Sequence, residues 1–333
     1  MPGAGAAPTP PEAPGEATLD PQPDGVHYTM PSLPVGASGL TLLKQITDEV
    51  ALEDWLIVAT GLSGGATGID ATGFDEDGPD GWGNTACYYK VLAEPNSGSP
   101  LFLPALTSAS TATTTTAVPG TASAPTLDPQ PDGVHWTIPS APARTLTLKL
   151  QKKSDGFPTW RDLVDPVTAT ETGTDALGEY DGEWLGPAGY NDFVFYYRVV
   201  AANIYGVTNG TQDDVTTVPL PDDAAEAPTV TGEGQSNEEE PFEYWYEVTM
   251  PDGPLPDNAA SLTLYASAQE PDPGTPFEPT EPRGQFAPEA VVNTSGATFG
   301  GGNPSGSRVS VGARGWNIYG ESSTTVFDDS YVI

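Results

Sequence analysis

The chain has 333 residues, among them 38 Gly and 36 Pro, and its 46 acidic against 11 basic residues give a formal net charge of −35. A surface this negative repels phosphate backbones and anionic headgroups, which excludes nucleic acid as a partner and argues against a membrane surface. A single cysteine, Cys87, excludes an intrachain disulfide, and no run of about 18 apolar residues is present to cross a membrane as a helix.

Residues 1–17, "MPGAGAAPTPPEAPGEA", have neither the basic start nor the apolar core of a secretory signal. They read as a flexible Pro/Ala-rich segment, and export by the general signal-peptide route is not expected. Such a segment has no periodicity with which to build a core, so it is expected to gain order only against a neighbouring molecule. The first strands follow in "TLDPQPDGVHYTMP" from Thr18, where Val26, Tyr28 and Met30 alternate with His27 and Thr29. That period of two marks a strand with one buried face. "LTLLKQ" from Leu40, "WLIVA" from Trp55 and "CYYKVLAEPNSG" from Cys87 supply further strand-sized runs, broken by turn clusters such as "PDG" and "GLSGG".

At residues 126–135 the decapeptide "TLDPQPDGVH" of residues 18–27 returns unchanged, 108 positions later. "LTLKLQKK" from Leu146 and "FYYRVVAANIYG" from Phe195 follow, with Phe195 again 108 positions after Cys87. A looser third version runs through "YWYEVTMPDGP" (244–254), "LTLYASAQ" from Leu262 and "SRVSVGARGWNIYG" (307–320). A period near 108 is one whole domain rather than one turn of a solenoid. Short alternating strands in units of about 100 residues point to antiparallel β-sandwiches with almost no helix. The identity of the decapeptide reads as recent duplication. Predicted boundaries are 18–118, 125–218 and 227–333, with short Pro-containing linkers at 119–124 and 219–226 that favour a semi-rigid rod.

These residues resemble the fibronectin type III family. Its early strand carries Val-x-Trp-x-x-Pro, matched by Val134, Trp136 and Pro139; Tyr28 takes the Trp position in unit one and Val248 in unit three. Its late strand carries Tyr-x-Val-x-Ala-x-Asn-x-x-Gly, matched by Tyr197, Val199, Ala201, Asn203 and Gly206. Unit one departs at Pro95, and unit three reads two residues longer before Asn317. The resemblance spans nearly the whole chain from residue 18 and implies three immunoglobulin-like, all-β antiparallel sandwiches in tandem, with Tyr28, Tyr89, Trp136, Tyr197 and Val199 as core markers.

Candidates for chemistry are few. His27 and His135 fall on the outward phase of equivalent strands, a domain apart, and cannot form one catalytic pair. Cys87 lies on the inward phase with no base placed to activate it, the position of a small buried hydrophobe. Asp75, Asp77 and Asp80 in "DEDGPDGWGN" form a candidate calcium loop, although Pro79 and the missing glutamate depart from the usual spacing. Apart from that Ca²⁺, no cofactor is expected. The long acidic loops carry aromatics: Phe74 and Trp82, then Tyr180, Trp184 and Tyr190, then Phe277 and Phe286. Either these fold back onto the sandwich, or they contact a partner, since aromatic anchors on rigid scaffolds dominate interfaces.

No ordering of residues announces an enzyme. The resemblance implies a structural or binding protein, expected in a bacteriophage virion as a capsid decoration protein, head fibre or tail-associated fibre. Its partners would be other structural proteins of a particle, in a multimeric assembly. The alternative is an adhesion or filament module at a bacterial or archaeal cell surface, binding protein or glycan.

Overall fold

A computed structural model describes residues 11–47, 51–95, 107–176, 188–235, 244–269, 278–295 and 308–332. Twenty-two strands and one 3₁₀ turn (Leu52–Asp54) make up the regular structure of these residues. Unit one holds β1 (Thr18–Gln22), β2 (Gly25–Thr29), β3 (Ala37–Gln45), β4 (Leu56–Leu62), β5 (Thr67–Asp70), β6 (Ala86–Pro95) and β7 (Thr111–Thr114). Its two antiparallel sheets have the orders β1-β2-β5 and β4-β3-β6-β7.

Unit two repeats this with β8 (Thr126–Gln130), β9 (Gly133–Thr137), β10 (Thr147–Ser154), β11 (Arg161–Val167), β12 (Thr172–Asp175), β13 (Val194–Asn203) and β14 (Gly206–Thr216), paired as β12-β9-β8 and β11-β10-β13-β14. Unit three follows with β15 (Thr229–Gln235), β16 (Tyr244–Thr249), β17 (Ser261–Gln269), β18 (Pro282–Phe286), β19 (Val291–Ser295), β20 (Arg308–Asn317), β21 (Gly320–Glu321) and β22 (Val326–Val332). Its sheets are β15-β16-β19 and β18-β17-β20, the latter extended by β21 and β22. The chain is therefore all-β, in fibronectin type III-like sandwiches of three-stranded and larger sheets. Strands β13 and β20 are both ten residues long and both end on the turn asparagine, so unit three carries no two-residue insertion before Asn317.

Each unit buries one cluster between its own sheets. Unit one packs Val26, Tyr28, Met30, Leu40, Leu42, Cys87, Tyr89 and Val91; unit two packs Val134, Trp136, Ile138, Leu148, Leu150, Phe195, Tyr197 and Val199. Unit three packs Tyr246, Val248, Met250, Leu262, Leu264, Val309 and Val311. The alternation dictates this: Val134 and Trp136 are 1% and 5% exposed, while His135 between them points outward to Asp132, 2.8 Å away.

The Pro/Ala-rich start differs from the flexible segment expected from composition, at least over residues 11–17. Pro11, Pro14 and Ala17 are buried and the residues between them exposed. A three-residue period is the geometry of an extended polyproline-like strand with one face against the domain. The Glu12 amide donates to the Val35 carbonyl at 3.2 Å. Both linkers repeat the contact: Gly120 donates to Ala143 at 3.3 Å and Asp222 to Asp257 at 3.1 Å. Residues 11–17 are thus the first copy of a strap that precedes every sandwich. Proline supplies the fixed φ, so little entropy is lost on docking.

Two outcomes follow for stability. Trp136→Ala should cost about 3–5 kcal/mol in denaturant unfolding, as buried aromatic truncations do, while His135→Ala stays within about 0.5 kcal/mol as an outward substitution. Removing residues 1–17 should lower the melting temperature of unit one, because the truncation strips the buried strap of residues 11–17.

Candidate interdomain sockets

Each unit but the first carries the sequence Asn-Ile-Tyr-Gly at its late turn, and the turn reaches into the sandwich before it. In unit two the Asn203 side-chain amide donates to the Ala117 carbonyl at 2.9 Å and to the Arg144 carbonyl at 3.1 Å, while its oxygen accepts the Tyr205 amide at 2.9 Å. Asn317 repeats all three bonds, donating to Pro219 at 2.9 Å and Asn258 at 3.0 Å and accepting the Tyr319 amide at 2.9 Å. One asparagine therefore ties together the incoming linker, an early loop and its own turn. The early-loop carbonyls belong to Arg144 and Asn258, both at positive φ (67° and 61°).

The turn held in this way plugs the preceding unit. The Gly81 amide donates to the Tyr205 carbonyl at 3.1 Å, and the Ile204 amide to the Pro23 carbonyl at 3.3 Å. At the second junction Gly189 donates to Tyr319 at 3.0 Å and Ile318 to Pro131 at 3.1 Å. Tyr205 and Tyr319 are each 3% exposed. Burial, then the charges of Asp70, Cys87 and Asp24, push the Tyr205 phenol up to about 12; burial, then Asp175 and Asp132, raise that of Tyr319. Both phenols stay neutral at any ordinary pH.

The repeated decapeptide is also the floor of the socket, a role that its reading as a duplication leaves out. Pro23 and Pro131 supply the accepting carbonyls. Gly25 and Gly133 sit at φ +137° and +134°, where an added Cβ would lie 2.5 Å from the carbonyl oxygens of Asp70 and Asp175. No other residue fits there. Asp24 and Asp132 hold His27 and His135 at 2.8 Å on the socket's outer rim.

Beneath each socket lies a buried polar triad. Lys44 Nζ is 2.9 Å from Asp70 Oδ1 and donates to the Thr72 carbonyl at 2.8 Å, while the Tyr89 hydroxyl donates to Asp70 Oδ2 at 2.8 Å. In unit two Lys152 and Tyr197 both reach Asp175 Oδ2 at 2.7 Å. Phe74 and Phe195 cover the two ammonium groups, with ring centroids 4.9 and 4.2 Å from Nζ. In unit three the register puts Ala266, Thr294 and Val311 at the three positions, and Tyr246 is fully buried. Next to the first triad, burial and then the Asp70 charge push the Cys87 thiol up to about 11. It is a core side chain.

Where they are described, the half-buried aromatics of the long loops pack against their own units. Phe74 packs on the core of unit one and on Trp82, at 5.1 Å between centroids. The Trp82 carbonyl accepts the Thr115 hydroxyl at 2.6 Å, which fixes the loop that receives Tyr205. Tyr190 packs against Phe193 and Phe195, and Phe286 against the core of unit three. Tyr180, Trp184 and Phe277 lie outside the described residues. Asp75 accepts the Asp77 amide at 3.1 Å within its own turn, and Asp80 faces the Gly206 turn of the next unit. Among the described residues no group of three or more His, Cys, Asp or Glu side chains is placed to hold a metal ion, and no helix is long and apolar enough to cross a membrane. Sequence reasoning missed the socket residues; the signal was the unchanged decapeptide together with the second Asn-Ile-Tyr-Gly.

No protein-family model and no curated protein matches the chain. Among solved structures it is similar to the FN1–FN3 domains of chicken CNTN1, at 14% identity over 96% of this chain and 99% of that chain, with a TM-score of 0.28. The assignment of the fold rests on the strand orders above.

Breaking one partner of a buried ion pair strands the other charge. Asp70→Ala should therefore cost about 3–5 kcal/mol, whereas the triple change Lys44→Met, Asp70→Leu and Tyr89→Phe, which leaves no buried polar group unpaired, should be near neutral; equilibrium unfolding distinguishes the two. Cys87 contributes stability below its ordinary value of 9.0 that is lost as pH rises through about 11, because the folded state holds the proton more tightly. Stability should thus begin to fall above about pH 9, and the native thiol should not react with an aromatic disulfide reagent at pH 8.

Proposed function

We propose that the chain is a non-enzymatic structural protein, an acidic spacer that holds three sandwiches in fixed succession within a virion. One observation carries the structural reading: the side chains best suited to chemistry or recognition are occupied in repeated structural contacts. The histidines pair with turn aspartates, the buried lysines with Asp70 and Asp175, and the loop around Trp82 with the next unit. The two junctions repeat the same hydrogen bonds, which fits a chain whose role depends on the geometry between its domains.

The net charge of −35 fits a role in which many copies stand close without collapsing on one another. The virion setting rests on the use of such tandem sandwiches as decoration proteins and fibres. Immunogold labelling and protein quantification of purified particles from the source material test it. The expected result is label on intact particles at a fixed copy number per particle. Label confined to the cell envelope, with none in the particle fraction, would replace the virion by a cell-surface role.

A further inference from the structure

A sandwich of this chain needs no buried ion pair, since unit three places Ala266 and Val311 where unit two has Lys152 and Tyr197. In unit one both charges are nonetheless taken out of water: the side chains of Lys44 and Asp70 are each 2% exposed. Such a pair gains little over apolar packing. What distinguishes it is a hydroxyl set between the two charges. Thr72 Oγ1 accepts from Lys44 Nζ at 2.6 Å and donates to Asp70 Oδ1 at 2.6 Å, while Nζ itself lies 2.9 Å from Oδ1. The other carboxylate oxygen, Oδ2, accepts the Tyr89 hydroxyl at 2.8 Å. Phe74 covers the ammonium, its ring centroid 4.9 Å from Nζ. The two oxygens of one carboxylate are thus held in different ways, one through a hydroxyl that also touches the lysine, the other by a separate donor.

We propose that Lys44 and Asp70 condense into an intramolecular amide, a covalent cross-link between the two sheets of unit one. A proton passes from Nζ through Thr72 Oγ1 to Oδ1, leaving an amine and a carboxylic acid, two neutral groups that are less costly to bury than ions. The Nζ lone pair then bonds to Cγ, one bond beyond Oδ1, and negative charge develops on Oδ2, where the Tyr89 hydroxyl meets it. A second Nζ proton reaches Oδ1 through Thr72, the Cγ–Oδ1 bond breaks, and that oxygen leaves as water. Ammonium and carboxylate become one amide and one water, with no other reactant. Thr72 is exposed, so the water has a way out, while the reacting pair is shielded from the solvent that would reverse the step. Groups held in contact in this way react with effective molarities of about 10⁵–10⁸ M.

Unit two is not expected to react. Leu177 stands two residues after Asp175, where Thr72 follows Asp70, and Lys152 and Tyr197 both reach the same oxygen, Oδ2. The amide joins β3 to the end of β5, directly beneath the socket that takes the turn of Tyr205. The unfolding outcomes given above are those of the ion pair before condensation; the amide adds a constraint on the unfolded chain between residues 44 and 70. The proposal is independent of the setting and holds on a virion or a cell surface alike.

Intact-mass spectrometry of the folded full chain, sampled over days and followed by proteolysis and peptide mapping, tests it. The expected result is a chain lighter by one water, a branched peptide joining Lys44 to Asp70, and no tryptic cleavage after Lys44. Lys44→Arg, checked by circular dichroism for an unchanged fold, should keep the full sequence mass. Thr72→Val should condense at least about tenfold more slowly, as loss of a positioned proton carrier slows such steps. A folded parent chain that keeps its full sequence mass to the last time point overturns the proposal and leaves the ion pair in place. A water lost as a succinimide at an Asp-Gly pair, with no branched peptide, overturns it as well. So does a Thr72→Val chain that condenses as fast as the parent.

Discussion

Two buried asparagine amides govern how this chain is put together. An amide buried at a junction is costly unless every donor and acceptor is met, and Asn203 meets three backbone groups from three separate stretches of chain. The linker carbonyl, the early-loop carbonyl and the turn amide can be satisfied together only when the linker lies on the domain and the turn is closed. Closing the turn aims Tyr205 at the preceding unit. The junction is therefore specified by a local polar requirement rather than by a wide apolar interface, and Asn317 imposes it again.

The socket and the core beneath it are one construction. Gly25 lies against the Asp70 carbonyl, the Asp70 carboxylate binds Lys44 and Tyr89, and the adjoining loop bonds Tyr205. A lysine and an aspartate buried between sheets gain little net stability over a well-packed apolar substitute. Unit three makes that substitution itself, with Ala266 and Val311 in the strand positions of Lys152 and Tyr197. The triads recur in units one and two, where the turns bearing Tyr205 and Tyr319 dock. Their value is in holding the end of β5 and of β12 in the one position that the plug from the next domain fits.

Much of the fold was legible because it depends on local alternation. Val134 and Trp136 against His135 sets the strand phase without any knowledge of the partner strand, and Gly25 and Gly133 announce a turn. What could not be read was non-local. Nothing within "DEDGPDGWGN" says that its Gly81 amide will meet a carbonyl 124 residues later in the chain, at Tyr205. Aromatic side chains such as Phe74 and Tyr190 look alike in sequence whether they face a partner or their own core. The strap at residues 11–17 was hidden for a different reason: its period of three belongs to neither helix nor strand, and composition alone makes such a segment look unstructured. The identity of the decapeptide was visible, but only the second junction shows that the same residues meet the same turn twice.

That the junctions fix the three sandwiches relative to one another is the claim on which the structural account rests, and residual dipolar couplings measured on the full chain in a weakly aligning medium test it most directly. Each unit reports its own alignment tensor. Three tensors of one magnitude and one orientation in the frame of the molecule are the predicted result. Tensors that differ in magnitude from unit to unit would mean that the sandwiches move independently, and would contradict the account.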